Sequence, residues 1–560
     1  MDPVTLRSFE KLSPFEIKDE LIRLAKLTAQ ESSIALLNAG RGNPNWVAMT
    51  PREGFFLLGQ FAITESRRVM NKPAGIGGMP RPDGIAGRLE DWLDAHAEAP
   101  GASFLRDMVA FAVKKFDFKP DAFVHELVDS IIGDNYPVPD RMLVHNERIV
   151  HEYLMWAMCG EPRPPGQFDL YAVEGGTAAM CYIFKSLKAN RFLNAGDTIA
   201  LATPIFTPYL EMPHLEDYGL NVVSVAAPQE NRFQFTDEEL KKLEDPKVKA
   251  FFVVNPGNPY AVALSEETIA KIVRLVETKR PDLLLLTDDV YGTFVKGFRG
   301  LLGALPRNTI GVYSYSKYFG CTGWRLGVIA IHPENIFDKA IARHPDKILQ
   351  ALDKRYGPLT LKPREMKLID RIVADSRDIA LNHTAGLSLP QQVMMSLFSL
   401  SEMMDEAKLY QKTCMDIVRN RADRLIEGLG IEVPENLLHD RYYGLVDFEF
   451  WANKYVGPEV VAYMKEHIHP LDIVFRLAED HGIVLLNGGG FHAPNWSVRV
   501  SFANLDDEVY SQIGRATRAV ARGYRQAFDA YNLALSTAKA GGSATPAKGG
   551  AKSAAEEMAR

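Results

Sequence analysis

Between residues 168 and 332 the chain alternates short apolar, β-branched runs with stretches of helical periodicity. Parallel strands need crossover connections, and helices are the usual crossovers, so this alternation predicts an α/β fold with a mainly parallel sheet. Two of the intervening helices begin with a capping signal, at Thr236 and at Ser265. The predicted strands are FDLYAVE, DTIALATPIF, NVVSVAA, KVKAFFVVN, DLLLLTDDVY, NTIGVYSYS and RLGVIAIH.

The remainder of the chain divides around this α/β layer. We expect an N-terminal segment (1–51), a helical insertion (52–135), a large domain (136–388) and a C-terminal small domain (389–535). Residues 536–560 are low-complexity Ala, Gly, Ser and Lys without bulky apolar groups. Such a composition cannot bury enough surface to order itself, so we expect a disordered tail there.

Composition limits the partners of the chain. A net charge of −7 and a pI near 6.1 give no electrostatic reason to expect nucleic acid or an anionic membrane. No segment has the apolar length of a membrane span, and the first residues lack a signal-peptide core. The four cysteines form no CxxC pair, which predicts no metal site, no disulfide framework and a reducing, cytoplasmic location. A small-molecule substrate fits these properties.

Lys317 follows the predicted strand NTIGVYSYS, and Arg325 lies eight residues further on. An apolar, cation-rich setting favours the neutral amine of a lysine, which makes Lys317 a candidate for Schiff-base chemistry. Read singly, the neighbouring polar motifs also fit ordinary turns and helix caps. Their order along the chain is far more specific than any one of them. These motifs are Gly175, Gly176 and Thr177, then Asn255 and Asn258, then Asp288, Asp289 and Tyr291, then Ser314 and Ser316.

This order of motifs resembles the fold type I pyridoxal 5'-phosphate enzymes of the aspartate aminotransferase class, from about Leu36 to Leu505. The resemblance implies a large domain plus a smaller α/β domain built from the N- and C-terminal segments. It implies that Lys317 binds the cofactor covalently and later moves the α-proton of the substrate. Asp288 would pair with the pyridine nitrogen, so that the ring acts as an electron sink. Tyr291 and Asn258 would bond the ring hydroxyl, and Ser314, Arg325, Gly176 and Thr177 would hold the phosphate. Gly175 and Ser316 would also belong to the cofactor site.

Three further positions carry over from the same resemblance. Phe206 matches the aromatic residue that stacks on the cofactor ring. Tyr136 matches the tyrosine that reaches a phosphate across the subunit interface, which implies a homo-oligomer built from dimers, a dodecamer by family resemblance. Arg499 matches the arginine that clamps the α-carboxylate of the substrate, a role suited to its bidentate guanidinium. The alternative for Arg499 is a surface arginine on a strand.

Departures from the general pattern of this class indicate which of its activities the chain has. The segment 52–133 is longer than the class usually has, and Tyr260-Ala261 follows Asn258-Pro259 where Thr-Gly is usual. The stretches KLSPFEIKDELIRLA, LNAGRGNPNW and ALNHTAGLSLPQQ are similar to the aspartate 4-decarboxylase branch of this class. That similarity implies conversion of L-aspartate to L-alanine and CO2, with aspartate aminotransferase as a side activity. The alternatives are a plain aminotransferase and a non-catalytic, cofactor-binding regulator. No basic helix-turn-helix stretch precedes residue 36, which counts against the regulator.

The group that holds the β-carboxylate is less clearly marked. Arg41 follows Gly40, which in this class lines the substrate pocket, so Arg41 is the candidate for orienting the β-carboxylate. A loop arginine in a structural salt bridge is the alternative. Lys18 is a weaker candidate, on a helix among Glu16, Asp19 and Glu20.

Overall fold

The computed structural model describes residues 3–32 and 35–540. The strands are β1 (Leu37–Asn38), β2 (Asn71–Lys72), β3 (Ile76–Gly77), β4 (Asp169–Val173), β5 (Thr198–Thr203), β6 (Asn221–Ala226), β7 (Val248–Val254), β8 (Leu284–Asp288), β9 (Thr309–Ser314), β10 (Gly327–Ile331), β11 (Tyr443–Asp447), β12 (Ile483–Val484), β13 (Leu486–Asn487) and β14 (Ser497–Ser501). The helices are α1 (Pro3–Phe9), α2 (Pro14–Ser32), α3 (Met49–Val69), α4 (Ile85–Ala95), α5 (Ala102–Phe116), α6 (Pro120–Ile132), α7 (Val144–Leu154), α8 (Gly176–Ala189), α9 (Thr207–Glu211), α10 (Asp237–Lys241), α11 (Glu266–Thr278), α12 (Leu301–Ala304), α13 (Ile336–Ala342), α14 (Asp346–Tyr356), α15 (Leu368–Ser376), α16 (Leu389–Met404), α17 (Leu409–Leu429), α18 (Phe448–Tyr455), α19 (Pro458–His467), α20 (Asp472–His481) and α21 (Asp507–Ala540).

The seven predicted strands form one sheet in the order β4-β10-β9-β8-β7-β5-β6. Only β10 is antiparallel to its neighbours, so the predicted α/β fold with a mainly parallel sheet is confirmed. Both faces of the sheet are covered, because alternate residues of β7 enter different apolar clusters. Phe252 packs in the cluster that contains Ile183 of α8, and Phe251 in the cluster that contains Ile272 of α11. Burial on both faces explains the continuous apolar runs in the sequence.

Helix capping occurs where the sequence indicates it. The Thr236 hydroxyl accepts a hydrogen bond from the Glu239 N–H, 3.3 Å away, at the start of α10. The Ser265 hydroxyl accepts one from the Thr268 N–H, 3.1 Å away, at the start of α11. Each side chain satisfies an N–H that the first helical turn leaves without a partner, which fixes where the helix begins.

The carboxyl ends of the parallel strands define one edge of this sheet. Strands β4 and β9 are both antiparallel to β10 and therefore run in the same direction as β7 and β8. The turns that follow β4, β7, β8 and β9 thus emerge together, at the edge where open α/β sheets bind ligands. These are the turns that carry the polar motifs of the sequence.

The two ends of the described chain pack together beside that edge. Strand β1 pairs in parallel with β12, and α2 packs against α20. A three-stranded antiparallel sheet, in the order β11-β14-β13, lies next to them, and α17 packs along α21. The segment between α3 and α6 is helical, with a short β2–β3 hairpin, and it packs against α16.

The C-terminal helix is longer than the sequence suggests. Helix α21 ends at Ala540, so the expected start of the disordered tail, Ser536, lies inside a helix. The rest of the expected tail, residues 541–560, falls outside the described residues. Within residues 3–32 and 35–540, no helix is long and apolar enough to cross a membrane. The same residues contain no His, Cys, Asp and Glu cluster suited to a metal ion, and Cys159, Cys181, Cys321 and Cys414 are free thiols.

Candidate active site

Lys317 lies in the turn after β9 and is half-buried. Its Nζ donates a hydrogen bond to the Gly42 carbonyl, 3.0 Å away, on the loop that follows β1. The Tyr442 hydroxyl donates to the same carbonyl, at 2.7 Å. No described carboxylate forms an ion pair with Lys317, so its amine is held by a neutral acceptor.

Asp288, the last residue of β8, is a buried carboxylate beside Lys317. The Tyr209 hydroxyl donates to its Oδ2 at 2.7 Å, and the Val290 N–H donates to its Oδ1 at 3.3 Å. Burial raises the pKa of Asp288, while the bond from Tyr209 and the charge of Lys317 act in the opposite direction. A buried carboxylate without an arginine or lysine ion pair is suited to a cationic ligand group.

The start of α8 is suited to an anion. Helix α8 begins at Gly176 with no side-chain cap, because Gly175 occupies the cap position with φ of +97°. The Arg325 guanidinium donates to the Glu174 carbonyl at 3.0 Å, and a Cβ on Gly175 would collide with that guanidinium. Only glycine permits this approach. An uncapped helix N-terminus beside an arginine attracts a phosphate through both N–H groups and charge.

Two serines and a threonine adjoin this helix start. The Ser314 Oγ lies 2.9 Å from the Ser316 Oγ and 3.2 Å from the Leu326 carbonyl oxygen, and its single O–H can donate to either. A Cβ on Gly176 would lie 3.9 Å from Ser314 Cβ and 3.6 Å from Asp288 Oδ2. Thr177 is exposed, and its side chain reaches the Tyr209 hydroxyl. The helix start and the buried carboxylate therefore border one site.

An aromatic group covers the side of the site nearest α9. The half-buried Phe206 packs edge-on against Tyr209, with ring centroids 5.3 Å apart. Phe15, at the start of α2, packs against Phe206 at 5.6 Å. Helix α2 thus contacts the aromatic side of the site.

Arg499, on β14, is 1% exposed. Its Nη1 donates to Asn258 Oδ1 at 3.1 Å, and its Nη2 donates to the Gly40 carbonyl at 3.0 Å. Its Nε has no hydrogen-bond partner, and no described carboxylate forms an ion pair with it. The deep burial does not match the alternative of a surface arginine.

Tyr291 connects the turn after β8 to the three-stranded sheet. Its hydroxyl donates to the Tyr443 hydroxyl, 3.2 Å away, and both side chains are buried. Burial raises the pKa of Tyr291 well above its usual range, and the neighbouring Tyr443 and Tyr442 hydroxyls add to this effect. Tyr291 is therefore neutral and able to donate a hydrogen bond at physiological pH.

The remaining predicted positions lie outside this cluster of contacts. Tyr136 is 67% exposed, with its ring 5.9 Å from that of His383. Arg41 is exposed and forms no ion pair with any described residue, which does not match the salt-bridge alternative. Lys18 forms an ion pair with Asp19 at 3.3 Å.

Four residues of the cluster were not predicted from the sequence. Tyr209 lies three residues after Phe206, a spacing that places both on one side of a helical turn and that could have indicated it. Gly42 follows Arg41 directly, but nothing local marks its carbonyl as an acceptor for Lys317. Tyr442 and Tyr443 stand in RYYGLVDF, which has no recognisable motif.

The sequence model of the family Aminotransferase class I and II matches residues 173–516. The chain belongs to this family. A bifunctional aspartate aminotransferase and L-aspartate beta-decarboxylase from Pseudomonas sp is 48% identical over 516 residues, which cover 92% of this chain and 97% of that protein. An aspartate aminotransferase from Pyrococcus abyssi is 33% identical over 157 residues, which cover 27% of this chain and 39% of that protein.

Solved structures of the same fold cover most of the chain. A single mutant of Thermus thermophilus aspartate aminotransferase superimposes with a TM-score of 0.55 at 16% identity, covering 91% of this chain and 97% of the mutant. An aromatic aminotransferase from Pyrococcus horikoshii OT3 superimposes with a TM-score of 0.51 at 17% identity, covering 89% of this chain and 99% of that protein. The fold type I prediction is confirmed by these likenesses together with the family match.

Enzymes of this family use pyridoxal phosphate, which confirms the predicted cofactor. The geometry around Lys317 fits that molecule. The uncapped start of α8 with Arg325 suits the phosphate, and buried Asp288 suits a protonated ring nitrogen. Lys317 lies near Asp288, with an amine that no described carboxylate pairs with.

Proposed function

We propose that this protein removes the β-carboxylate of L-aspartate to give L-alanine and CO2, with aspartate aminotransferase as a side activity. The observation that carries the proposal is the 48% identity to the bifunctional Pseudomonas enzyme, which extends over 97% of that relative. The aspartate aminotransferase from Pyrococcus abyssi matches only 27% of this chain. Because the match to the bifunctional enzyme covers 92% of this chain, it includes the helical segment 52–135 as well as the residues around Lys317.

Arg499 is proposed to bind the α-carboxylate. A buried cation without an anion is costly, by several kcal/mol in general, unless a ligand supplies the opposite charge. Two of the five N–H donors of Arg499 are engaged by Asn258 and Gly40, and its Nε lacks a partner. The remaining donors can make the paired hydrogen bonds that a carboxylate accepts.

The cofactor-binding residues are proposed to act as the resemblance implies. When bound, the cofactor would supply two electron sinks: its conjugated ring for the pair left by the departing α-proton, and its C=N link to the substrate for the pair left by CO2. Lys317 is the base that takes the Cα proton and later returns a proton to the product. Asp288 keeps the proton on the ring nitrogen. Asn258 and Tyr291 orient the ring hydroxyl.

The remaining cofactor positions are proposed to bind the phosphate and the ring face. Phe206 covers one face of the ring, as its position beside Tyr209 and Phe15 supports. The phosphate ligands are proposed to be Gly175, Gly176, Thr177, Ser314, Ser316 and Arg325.

Arg41 is proposed to orient the β-carboxylate. It stands between Gly40, whose carbonyl binds Arg499, and Gly42, whose carbonyl binds Lys317. Because no described acid neutralises Arg41, its charge is available to a second carboxylate of the substrate. Lys18 is engaged with Asp19 and remains the weaker candidate.

The assembly is proposed to be a cytoplasmic homo-oligomer built from dimers, a dodecamer in the complete form. The exposure of Tyr136 supports a role in the site of a neighbouring subunit. Exposed Phe56 and Ile63, seven residues apart on α3, form an apolar stripe of the kind that subunit contacts cover. Catalytic competence of a monomer would contradict this part of the proposal.

Incubation with aspartate in deuterated water, without and with a 2-oxo acid, tests the activity. The proposal predicts alanine and CO2 as main products without an oxo acid, and deuterium at both Cα and Cβ of the alanine. A plain aminotransferase would stop after one half-turnover without an oxo acid and would release oxaloacetate. Oxaloacetate as the dominant product would overturn the decarboxylase proposal.

A further inference from the structure

Three aromatic rings surround the guanidinium of Arg499. Its Cζ lies 4.2 Å from the centroid of the Tyr443 ring, 5.1 Å from that of Phe491 and 5.8 Å from that of Phe15. Tyr443 is therefore the nearest, well inside the distance at which a ring face attracts a cation. The proposed function assigns no role to Tyr443.

Strand register explains this contact. In the antiparallel pairing of β11 with β14, Tyr443 lies opposite Ser501, and Leu445 lies opposite Arg499. Tyr443 and Arg499 are thus diagonal neighbours on one face of the sheet. Aromatic and long side chains reach each other across such a diagonal.

A buried arginine that binds a substrate carboxylate must be stabilised without losing its hydrogen-bond donors, and an aromatic neighbour can do this. A buried guanidinium needs stabilisation before substrate arrives, but an aspartate or glutamate partner would occupy the donors that the substrate requires. A ring stabilises the cation through its face and leaves the N–H groups at the edge free. The unpartnered Nε and the absence of a described carboxylate partner agree with this arrangement.

We infer that Tyr443 is a positioning residue whose ring supports the buried guanidinium of Arg499 and leaves its free N–H edge ready for a substrate carboxylate. The inference rests on the proposed role of Arg499 as the carboxylate clamp. Tyr443 acts through Arg499 and does not itself bind the substrate.

Two contacts fix the Tyr443 ring in place. The Tyr291 hydroxyl donates to the Tyr443 hydroxyl at 3.2 Å, and any Cβ on Gly42 would collide with that hydroxyl. Glycine at position 42 therefore lets the N-terminal loop lie against the ring, while Tyr291 anchors its polar end. The hydroxyl orients the ring, whereas the face of the ring supports the cation.

The test compares Tyr443→Leu, Tyr443→Phe and Arg499→Ala, each loaded with pyridoxal phosphate. Succinate is the probe, because it has two carboxylates and no amine to react, and its Kd is measured by calorimetry. We expect Tyr443→Leu to weaken succinate binding about 5- to 30-fold, the range of a desolvated cation–ring contact. Tyr443→Phe keeps the ring and should stay within about threefold of wild type, while Arg499→Ala should lose at least about tenfold. Cofactor affinity should change much less than succinate affinity in all three, although Arg499 contacts Asn258 and Tyr443 contacts Tyr291.

Tyr463→Leu is the matched control, since Tyr463 is a half-buried tyrosine on α19 whose ring packs against His467 and Phe528. It should bind succinate as wild type does. If succinate binding is weakened in Arg499→Ala but not in Tyr443→Leu, the inference on Tyr443 is wrong, while the proposed role of Arg499 is retained. If Arg499→Ala binds normally, the proposed clamp itself fails. Equal losses of succinate affinity in Tyr443→Phe and Tyr443→Leu, or a loss of cofactor affinity as large as the loss of succinate affinity, would also overturn the inference. Should Tyr443→Leu not fold, Tyr443→Met keeps more volume without a ring and gives the same comparison.

Discussion

Tyr209→Phe isolates one hydrogen bond to the carboxylate of Asp288. The Tyr209 hydroxyl lies 2.7 Å from Asp288 Oδ2, and both residues are buried. The phenyl ring would remain packed against Phe206 and Phe252, whose centroids lie 5.3 and 4.7 Å away, so the change removes a donor with little loss of packing. The predicted effect is on the ionised form of Asp288, which the cofactor needs.

The magnitude follows from the type of bond. A buried hydrogen bond to a charged acceptor contributes about 1.5–3 kcal/mol. The bond stabilises ionised Asp288, the form that the cofactor needs, so the affinity for pyridoxal phosphate should fall about 10- to 150-fold without it. The Km for aspartate should change much less, because Arg499 and its partners are untouched.

The effect should also depend on pH. The bond from Tyr209 lowers the pKa of Asp288 against the effect of burial, so its removal raises that pKa further. A proton then competes for Asp288 at a higher pH than in the wild type. The ratio of variant to wild-type Kd should therefore grow as the pH is lowered and shrink as it is raised.

Absorbance titration of the apoenzyme with pyridoxal phosphate at several pH values provides the measurement. Tyr524→Phe is the matched control, because the buried Tyr524 hydroxyl donates to Asp472 Oδ2 at 2.8 Å in another part of the fold. It should lower the melting temperature without changing cofactor affinity. The reasoning is refuted if Tyr209→Phe binds the cofactor within about twofold of wild type at every pH.

Three further changes test other parts of the structure. Lys317→Ala should abolish the covalent adduct that borohydride traps between protein and cofactor, measured by mass spectrometry; a trapped adduct in the variant would show that another amine reacts. Arg41→Ala should change the ratio of alanine to oxaloacetate, whereas Arg67→Ala, which removes another exposed arginine, should not; an unchanged ratio in Arg41→Ala excludes that residue from β-carboxylate binding. Burial, together with the charge of Asp288, raises the pKa of Asp289 well above its usual value, so this group binds more protons in the folded state and its contribution to stability falls as the pH rises. Asp289→Asn should therefore show a smaller fall in melting temperature than wild type between acidic and neutral pH, and an identical pH dependence would contradict this origin.

The sequence predicts the seven-stranded sheet and the turns at its edge for a physical reason. Strands buried on both faces appear as unbroken apolar runs, and the polar residues that end them stand out, as Asp288 does after DLLLLT. Glycines are equally visible where a backbone must pass close to another group, as Gly175 passes Arg325. These signals are local, so the amino-acid sequence alone contains them.

The contacts made by the ends of the chain carry no such signal. Gly42 and Tyr442 are 400 residues apart, and their hydrogen bond exists only because the N-terminal loop lies against β11. The contact of Tyr443 with Arg499 depends on the register of two short antiparallel strands, which a shift of one residue would move to the opposite face. The exposed Tyr136 likewise has its proposed role only in the site of a neighbouring subunit, and a single chain does not contain that contact.

The geometry separates the residues proposed for cofactor from those proposed for substrate. The first set, apart from Tyr136, lies between residues 175 and 325, in the turns of the seven-stranded sheet. The second lies on the loop at 40–42 and on β14, with the supporting Tyr443 on β11, outside that sheet. Three hydrogen bonds join the sets: Arg499 to Asn258, Lys317 to the Gly42 carbonyl, and Tyr291 to Tyr443. Because each bond has one partner in either set, binding of a carboxylate at Arg499 is coupled to the orientation of Asn258 and Tyr291. A change in the substrate loop can therefore alter which reaction follows while the cofactor remains bound by the sheet.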